Sequence, residues 1–197
     1  MRVLLTGYEP FGGEPVNPSA QLATELAQRP PAHGRLELSA AVLPVDSRRF
    51  RSVLAQAVAA ARPELVVALG QATGRPDIGL EALAHNVLDF RGERDNGGHA
   101  ARGEALVEGG PSRLHARLPL AGLAERLASR GLPVRVSLDA GRHLCNALLY
   151  ELLLNHPGLP ALLVHVPLLP EQAARRALDE PSRPFALSRD CLAALLL

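Results

Sequence analysis

At 197 residues with 47% apolar side chains, the chain has the length of one domain and enough apolar matter for a sizeable core. A formal charge of +1 and no basic run leave no electrostatic footprint for nucleic acid, and no stretch approaches the roughly 20 apolar residues of a membrane span. All 21 basic side chains are arginines, so Schiff-base chemistry, pyridoxal-phosphate attachment and a Walker-A phosphate loop lack their lysine.

Residues 2–6 run straight from Met1 into an apolar, strand-like segment with nothing resembling a cleaved signal. Next, residues 7–14 have the glycine spacing of a P-loop but end Gly13-Glu14 where Lys-Ser/Thr is needed, which argues against nucleotide binding. Strand-like segments follow at 36–43 and 65–69, with an alanine-rich helical pattern at 47–62 between them. Periodicity then fades over residues 71–119 into a long irregular excursion rich in glycine and charge, the kind of segment that often carries function. A helix is predicted at 120–130, stopped by Gly131, and a strand at 133–138. A helix at 145–155 is stopped near Pro157 and Gly158, and a strand follows at 161–166. Residues 188–197 read as a short apolar helix that must dock on the body or on a neighbouring subunit. The first, third and fifth strands are nearly continuous in apolar residues, as strands buried on both faces are. The expected fold is α/β: one domain spanning residues 1–197, a three-layer α/β/α sandwich around a mostly parallel twisted sheet.

Two cysteines, Cys145 and Cys191, lie far apart with no CxxC spacing. They make neither a disulfide framework nor a zinc site, and a reducing cytoplasm fits them. Cys145 follows a strand and a turn and opens a helix, where unpaired amides and the helix dipole stabilise a thiolate and a developing oxyanion. A small buried hydrophobe is the alternative for the same position. His165 stands near the end of the strand at 161–166. If consecutive βα units place their strand ends on one crevice, it meets Cys145 there as a general base; otherwise it is a hydrogen-bonded core histidine. Glu81, inside the irregular excursion, is available to orient the imidazole, in competition with the other acidic residues.

Five segments, in order, resemble the pyrrolidone-carboxylate peptidase family. They are residues 5–13 with Asn17-Pro18-Ser19, residues 69–75, Asp95-Asn96, residues 140–146, and residues 164–172. The resemblance implies an α/β/α cysteine peptidase with a Cys-His-Glu triad on Cys145, His165 and Glu81, acting on peptides with an N-terminal pyroglutamate. It implies no metal or cofactor, no nucleic-acid or membrane partner, and a homo-oligomer, commonly a tetramer. Tyr8 and Phe11 would flank the pyrrolidone ring, backbone groups of Gln71 and Leu144 would hydrogen-bond its lactam, and Arg91 would stand near the site. The chain departs from the pattern at Tyr8, where phenylalanine is usual, and at Arg142-His143, where a threonine and an aromatic residue are usual. His143 then either tunes the thiol or replaces an aromatic wall of the substrate site. A non-catalytic binding protein on the same scaffold and a cysteine hydrolase of another small amide are the competing readings.

Overall fold

The computed structural model describes residues 1–31, 36–175 and 181–196. The elements, in chain order, are β1 (Arg2–Tyr8), α1 (Pro18–Gln28), β2 (Glu37–Leu43), α2 (Phe50–Ala61), β3 (Leu65–Gln71), β4 (Ile78–Glu81), β5 (Leu83–His85) and β6 (Leu88–Asp89). They continue with β7 (Arg102–Glu104), β8 (Arg113–His115), α3 (Leu120–Ala128), β9 (Val134–Ser137), α4 (Leu144–Asn155), β10 (Ala161–Val166), α5 (Pro170–Arg175) and α6 (Phe185–Leu195).

Among the described residues, six strands form one sheet in the order β2-β1-β3-β10-β4-β9. Strands β2, β1, β3 and β10 run parallel; β10 pairs antiparallel with β4, and β4 runs parallel with β9. The mostly parallel sheet expected from the sequence is therefore present, with its last two strands reversed. Strict alternation along the central strands feeds two cores. Val3, Leu5, Val67, Leu69, Leu162 and Val164 pack with α1, α3 and α6 on one face. Leu4, Tyr8, Val66, Ala68 and Leu163 pack with α2 and α4 on the other. The C-terminal helix docks on the first face through Cys191 and Leu192; Leu197, its expected last residue, lies outside the described residues.

The structure departs from the sequence-based expectation in two places. Residues 71–119 are not wholly irregular: β4, the fifth of the six strands across the main sheet, lies inside them, with the two small antiparallel pairs β5-β8 and β6-β7. A four-residue strand neighboured by turns gives too short a period to read. The helix that follows β1 is α1, and its start is legible in the sequence. Asn17 caps it, accepting from the Ser19 amide at 3.1 Å, and Pro18 sits at the first turn, where its missing N–H costs nothing. Finally, β9 and β10 are not neighbouring parallel strands. They run in opposite directions with β4 between them, so the strand-end argument that joined Cys145 to His165 does not hold in that form.

Candidate active site

His165 and Glu81 are brought together by the antiparallel ladder. His165 lies opposite Gly79 and Leu163 opposite Glu81, so the imidazole and the carboxylate are diagonal neighbours on the α4 face of the sheet. Gly79 leaves the room: a Cβ there would stand 3.1 Å from Glu81 Oε1. Nδ1 of His165 donates to Glu81 Oε1 at 2.7 Å, with the histidine 4% and the glutamate 0% exposed.

Cys145 arrives from the other side of the imidazole. Because β9 runs away from this end of β10, residues 138–143 double back to deliver α4, whose second residue is Cys145. The segment is anchored by the Arg142 carbonyl, which accepts from the Asp89 amide at 2.8 Å, and by the Leu144 carbonyl, which accepts from the Tyr8 hydroxyl at 2.8 Å. Behind Cys145, the buried Asn146 side chain accepts from the His85 amide at 2.7 Å and donates to the His85 and Val87 carbonyls, stitching α4 to the β5–β6 segment. His143 is the N-cap residue, in extended conformation, and makes no side-chain cap, so the first amides of α4 remain available to an anion.

Burial disfavours an imidazolium at His165, but hydrogen bonds to Cys145 and Glu81 and the charges of both outweigh it, lifting the ring from 6.5 to about 9. Burial likewise opposes ionisation of Glu81, yet His165, Ser137 and Arg75 hold it below the ordinary carboxylate value. Ser137 contributes by proximity: no well-formed hydrogen bond reaches Glu81 Oε2, which is buried without a partner among the described residues. The Tyr8 phenol is pushed well above its usual pKa by burial first and by Cys145 second, so it stays a neutral donor.

The thiol and imidazole open on a cavity of about 260 Å³ walled by Tyr8, Phe11, Gln71, His143 and Leu144, with Asn17, Val45 and Arg75 also on its lining. His143 stacks on Phe11 at 5.9 Å between centroids and tilts against Phe90 at 4.4 Å. Burial lowers its pKa, against the pull of Glu93 and Asp95, so the ring is neutral at pH 7 and behaves as an aromatic wall. Gln71 is held by the buried Gln172, which donates to its side-chain oxygen at 3.0 Å. Arg91, in a left-handed conformation with φ 52°, is exposed and outside this lining. Asp95 and Asn96 are structural: Asp95 accepts from Ser47 and His99, and Asn96 donates to Glu9 and to the Pro10 carbonyl, fastening their loop to the one after β1. Arg75, which ends the motif at 69–75, is a site residue that the sequence alone does not single out. Its guanidinium donates to Glu81 Oε1 at 2.5 Å and to the Asp139 carbonyl at 2.6 Å.

A thiol and an imidazole on opposite elements of an α/β/α sandwich, backed by a buried carboxylate, form the layout of a cysteine-type hydrolase. The sequence profile of the family described as pyroglutamyl peptidase matches residues 1–194. The chain is 43% identical over 199 aligned positions to a pyrrolidone-carboxylate peptidase of Chromobacterium violaceum, covering 99% of this chain and 89% of that one. It is 38% identical to one from Thermococcus onnurineus, covering 95% and 92%. Among solved structures, the pyrrolidone carboxyl peptidase of Fervidobacterium islandicum superposes with a TM-score of 0.91 at 32% identity, over 100% of this chain and 96% of that one. Pyroglutamyl peptidase I of Bacillus amyloliquefaciens gives 0.89 at 32% identity, over 98% and 92%. The chain belongs to the pyroglutamyl peptidase family, and its class is that of the cysteine peptidases.

Proposed function

We propose that the protein hydrolyses the amide bond after an N-terminal 5-oxoprolyl residue of peptides, with Cys145 as nucleophile, His165 as acid and base, and Glu81 as the orienting carboxylate. The observation that carries the reading is the continuous line from the Cys145 thiol through His165 to Glu81 Oε1 at the wall of a small, largely apolar cavity. The Cys145 sulfur attacks the oxoprolyl carbonyl, and the uncapped amides at the start of α4 receive the oxyanion. The His165 imidazolium protonates the departing amine, and the neutral ring then takes a proton from the water that releases pyroglutamate.

The ring would lie against Tyr8, Phe11 and His143, with the lactam hydrogen-bonded by backbone groups of Gln71 and Leu144. The Tyr8 hydroxyl, which donates to the Leu144 carbonyl at 2.8 Å, holds that carbonyl at the edge of the slot. Arg91, exposed and outside that slot, takes no part in recognising the ring on this reading. Assembly as a homotetramer and a cytoplasmic location are supported by the family resemblance and the free cysteines alone. Among the described residues, no helix is long and apolar enough to cross a membrane.

The test is turnover of a fluorogenic pyroglutamyl amide beside its prolyl analogue. The expected result is hydrolysis of the first with little of the second, because proline leaves the lactam-binding groups unpaired. Equal turnover of both, or turnover that survives Cys145→Ser, would overturn the reading.

A further inference from the structure

Resting on the reading of Cys145, His165 and Glu81 as one unit, we propose that Arg75 is a positioning residue that fixes both halves of that unit. One arm of its guanidinium holds the carboxylate oxygen that receives His165, and the other holds the loop that delivers Cys145.

The geometry asks for such a strap. The reversal of β4 and β9 separates the strand carrying His165 from the segment leading to Cys145, and residues 138–143 must double back to reach it. Arg75 Nη2 donates to the Asp139 carbonyl at 2.6 Å, near the head of that segment, while Nη1 donates to Glu81 Oε1 at 2.5 Å. Within the segment itself the bonds are local: Ser137 Oγ lies 3.3 Å from both the amide and the carbonyl of Asp139, and the Gly141 amide donates to Asp139 Oδ1 at 2.9 Å, so none of them ties the segment to Glu81 or His165. Gly79 lies beside the arm: a Cβ there would touch Nη1 at 3.4 Å and crowd Glu81 Oε1 at 3.1 Å.

The carboxylate asks for it as well. Glu81 is 0% exposed, and a buried carboxylate lacking compensating charge takes up a proton. Among the described residues, the groups facing it are His165 from β10, Arg75 from the turn before β4, and the neutral Ser137 from β9; Cys145 of α4 stands beyond the imidazole. Arg135 and Asp77, nearby on β9 and the turn, pair with each other at 3.7 Å. When His165 is neutral, as it is after protonating the leaving amine, Arg75 is the remaining cation against Glu81. It keeps Oε1 an acceptor for Nδ1–H, so that Nε2 is the ring nitrogen offered to the thiol and the water. An ammonium is a single point of charge and does not reproduce a fork that spans two acceptors at a fixed separation.

The experiment is the pH dependence of Cys145 alkylation by iodoacetamide in wild type, Arg75→Gln, Arg75→Lys, Glu81→Gln and the double variant Arg75→Gln/Glu81→Gln. Steady-state kinetics on a pyroglutamyl amide run in parallel, and circular dichroism checks folding. Arg75→Gln is expected to move the acid limb of alkylation to higher pH and to lower kcat by about 10- to 100-fold, with KM within about threefold. Arg75→Lys should return the limb toward wild type but recover kcat only in part. In the Glu81→Gln background, losing Arg75 should move the limb no further. A folded Arg75→Gln whose alkylation profile superimposes on wild type overturns the proposal, as does an equal shift with and without Glu81. Should Arg75→Gln fail to fold, full kcat in Arg75→Lys overturns it and partial recovery with a wild-type limb supports it. Alkylation needs no peptide substrate, so a shifted limb without amide hydrolysis would sink the substrate assignment and leave the positioning role standing.

Discussion

Gly70 lies directly opposite His165 in the β3–β10 ladder, and a single carbon added to it would stand 2.7 Å from the Cys145 sulfur and 2.9 Å from His165 Cδ2. The space in which thiol and imidazole meet is therefore set by a residue that takes no part in the chemistry.

Gly70→Ala tests this. The atoms in conflict belong to the Cys145 and His165 side chains rather than to backbone, so the fold should survive with an overpacking cost of about 1–3 kcal/mol. The imidazole and sulfur are forced apart, and kcat should fall on the order of 100-fold, since small misplacements of reacting groups carry such costs. Kinetics with a thermal melt check it; a folded Gly70→Ala with wild-type kcat would show that the pair does not need this gap.

The two cysteines should behave oppositely. Cys191 is 1% exposed, and burial together with Asp190 raises its pKa to about 11, so at neutral pH it is an unreactive thiol. Cys145 opens on the cavity and touches His165. One equivalent of iodoacetamide at pH 7 should label Cys145 and abolish turnover. Cys191→Ala should keep kcat within about twofold while losing roughly 1 kcal/mol of stability from the small void. Mass spectrometry of the labelled protein, with denaturation of the variant, decides; label on Cys191 would contradict the assignment.

Glu81→Gln replaces the acceptor for Nδ1–H by an amide that Arg75 and His165 cannot both satisfy as donors to a charged oxygen. The expected outcome is a loss of tens to thousands of fold in kcat, smaller than for Cys145→Ser, with little change in KM. A kcat within about twofold of wild type on folded protein would reduce the triad to a Cys-His dyad.

The pH dependence follows from the two shifted groups. The His165 pKa is raised from 6.5 to about 9, so the stability it contributes is whole below pH 6.5 and is lost as pH climbs through about 9. Glu81 is lowered from 4.5, so its contribution is present above pH 4.5 and is lost as pH falls through its depressed value. The melting temperature should be nearly flat between about 4.5 and 6.5 as far as these groups decide it, then fall toward pH 9. That alkaline fall should be smaller in His165→Gln. kcat/KM should hold to higher pH than stability does and decline only as pH passes through about 9, because the imidazolium of the folded enzyme is needed to protonate the leaving amine. A kcat/KM that is still rising at pH 10 would remove His165 as the acid.

Much of this was legible in the sequence. Strands buried on both faces announce themselves as apolar runs, so β10 is legible to the residue, β1 and β3 run two residues beyond their apolar signal, and Cys145 stands at a helix start as its sequence context indicates. The Asn17-Pro18 start of α1 is a capping signal of the same plainness. Strand direction was not legible. Nothing in the residues of β4 or β9 states which way they run, since an apolar strand looks the same from either end; the reversal is decided by pairing partners more than eighty residues apart. The role of Arg75 depends on that reversal, which is why its motif gave no hint of a link between Glu81 and Asp139. Glu81 was reached through the family resemblance, its strand being too short for periodicity to show.

The position of β10 also bears on when the protein becomes functional during its synthesis. Among the described residues β10 is the last strand in chain order, yet it sits between β3 and β4. Until residue 166 has left the ribosome, β3 and β4 each present an open, apolar edge, a template for pairing with other chains. A nascent chain can assemble β1, β2, β3 and the helices around them, but it has neither the histidine nor the bridge that joins the two halves of the sheet. Activity should thus appear late and all at once, and a chain truncated before Ala161 should be both silent and prone to aggregate.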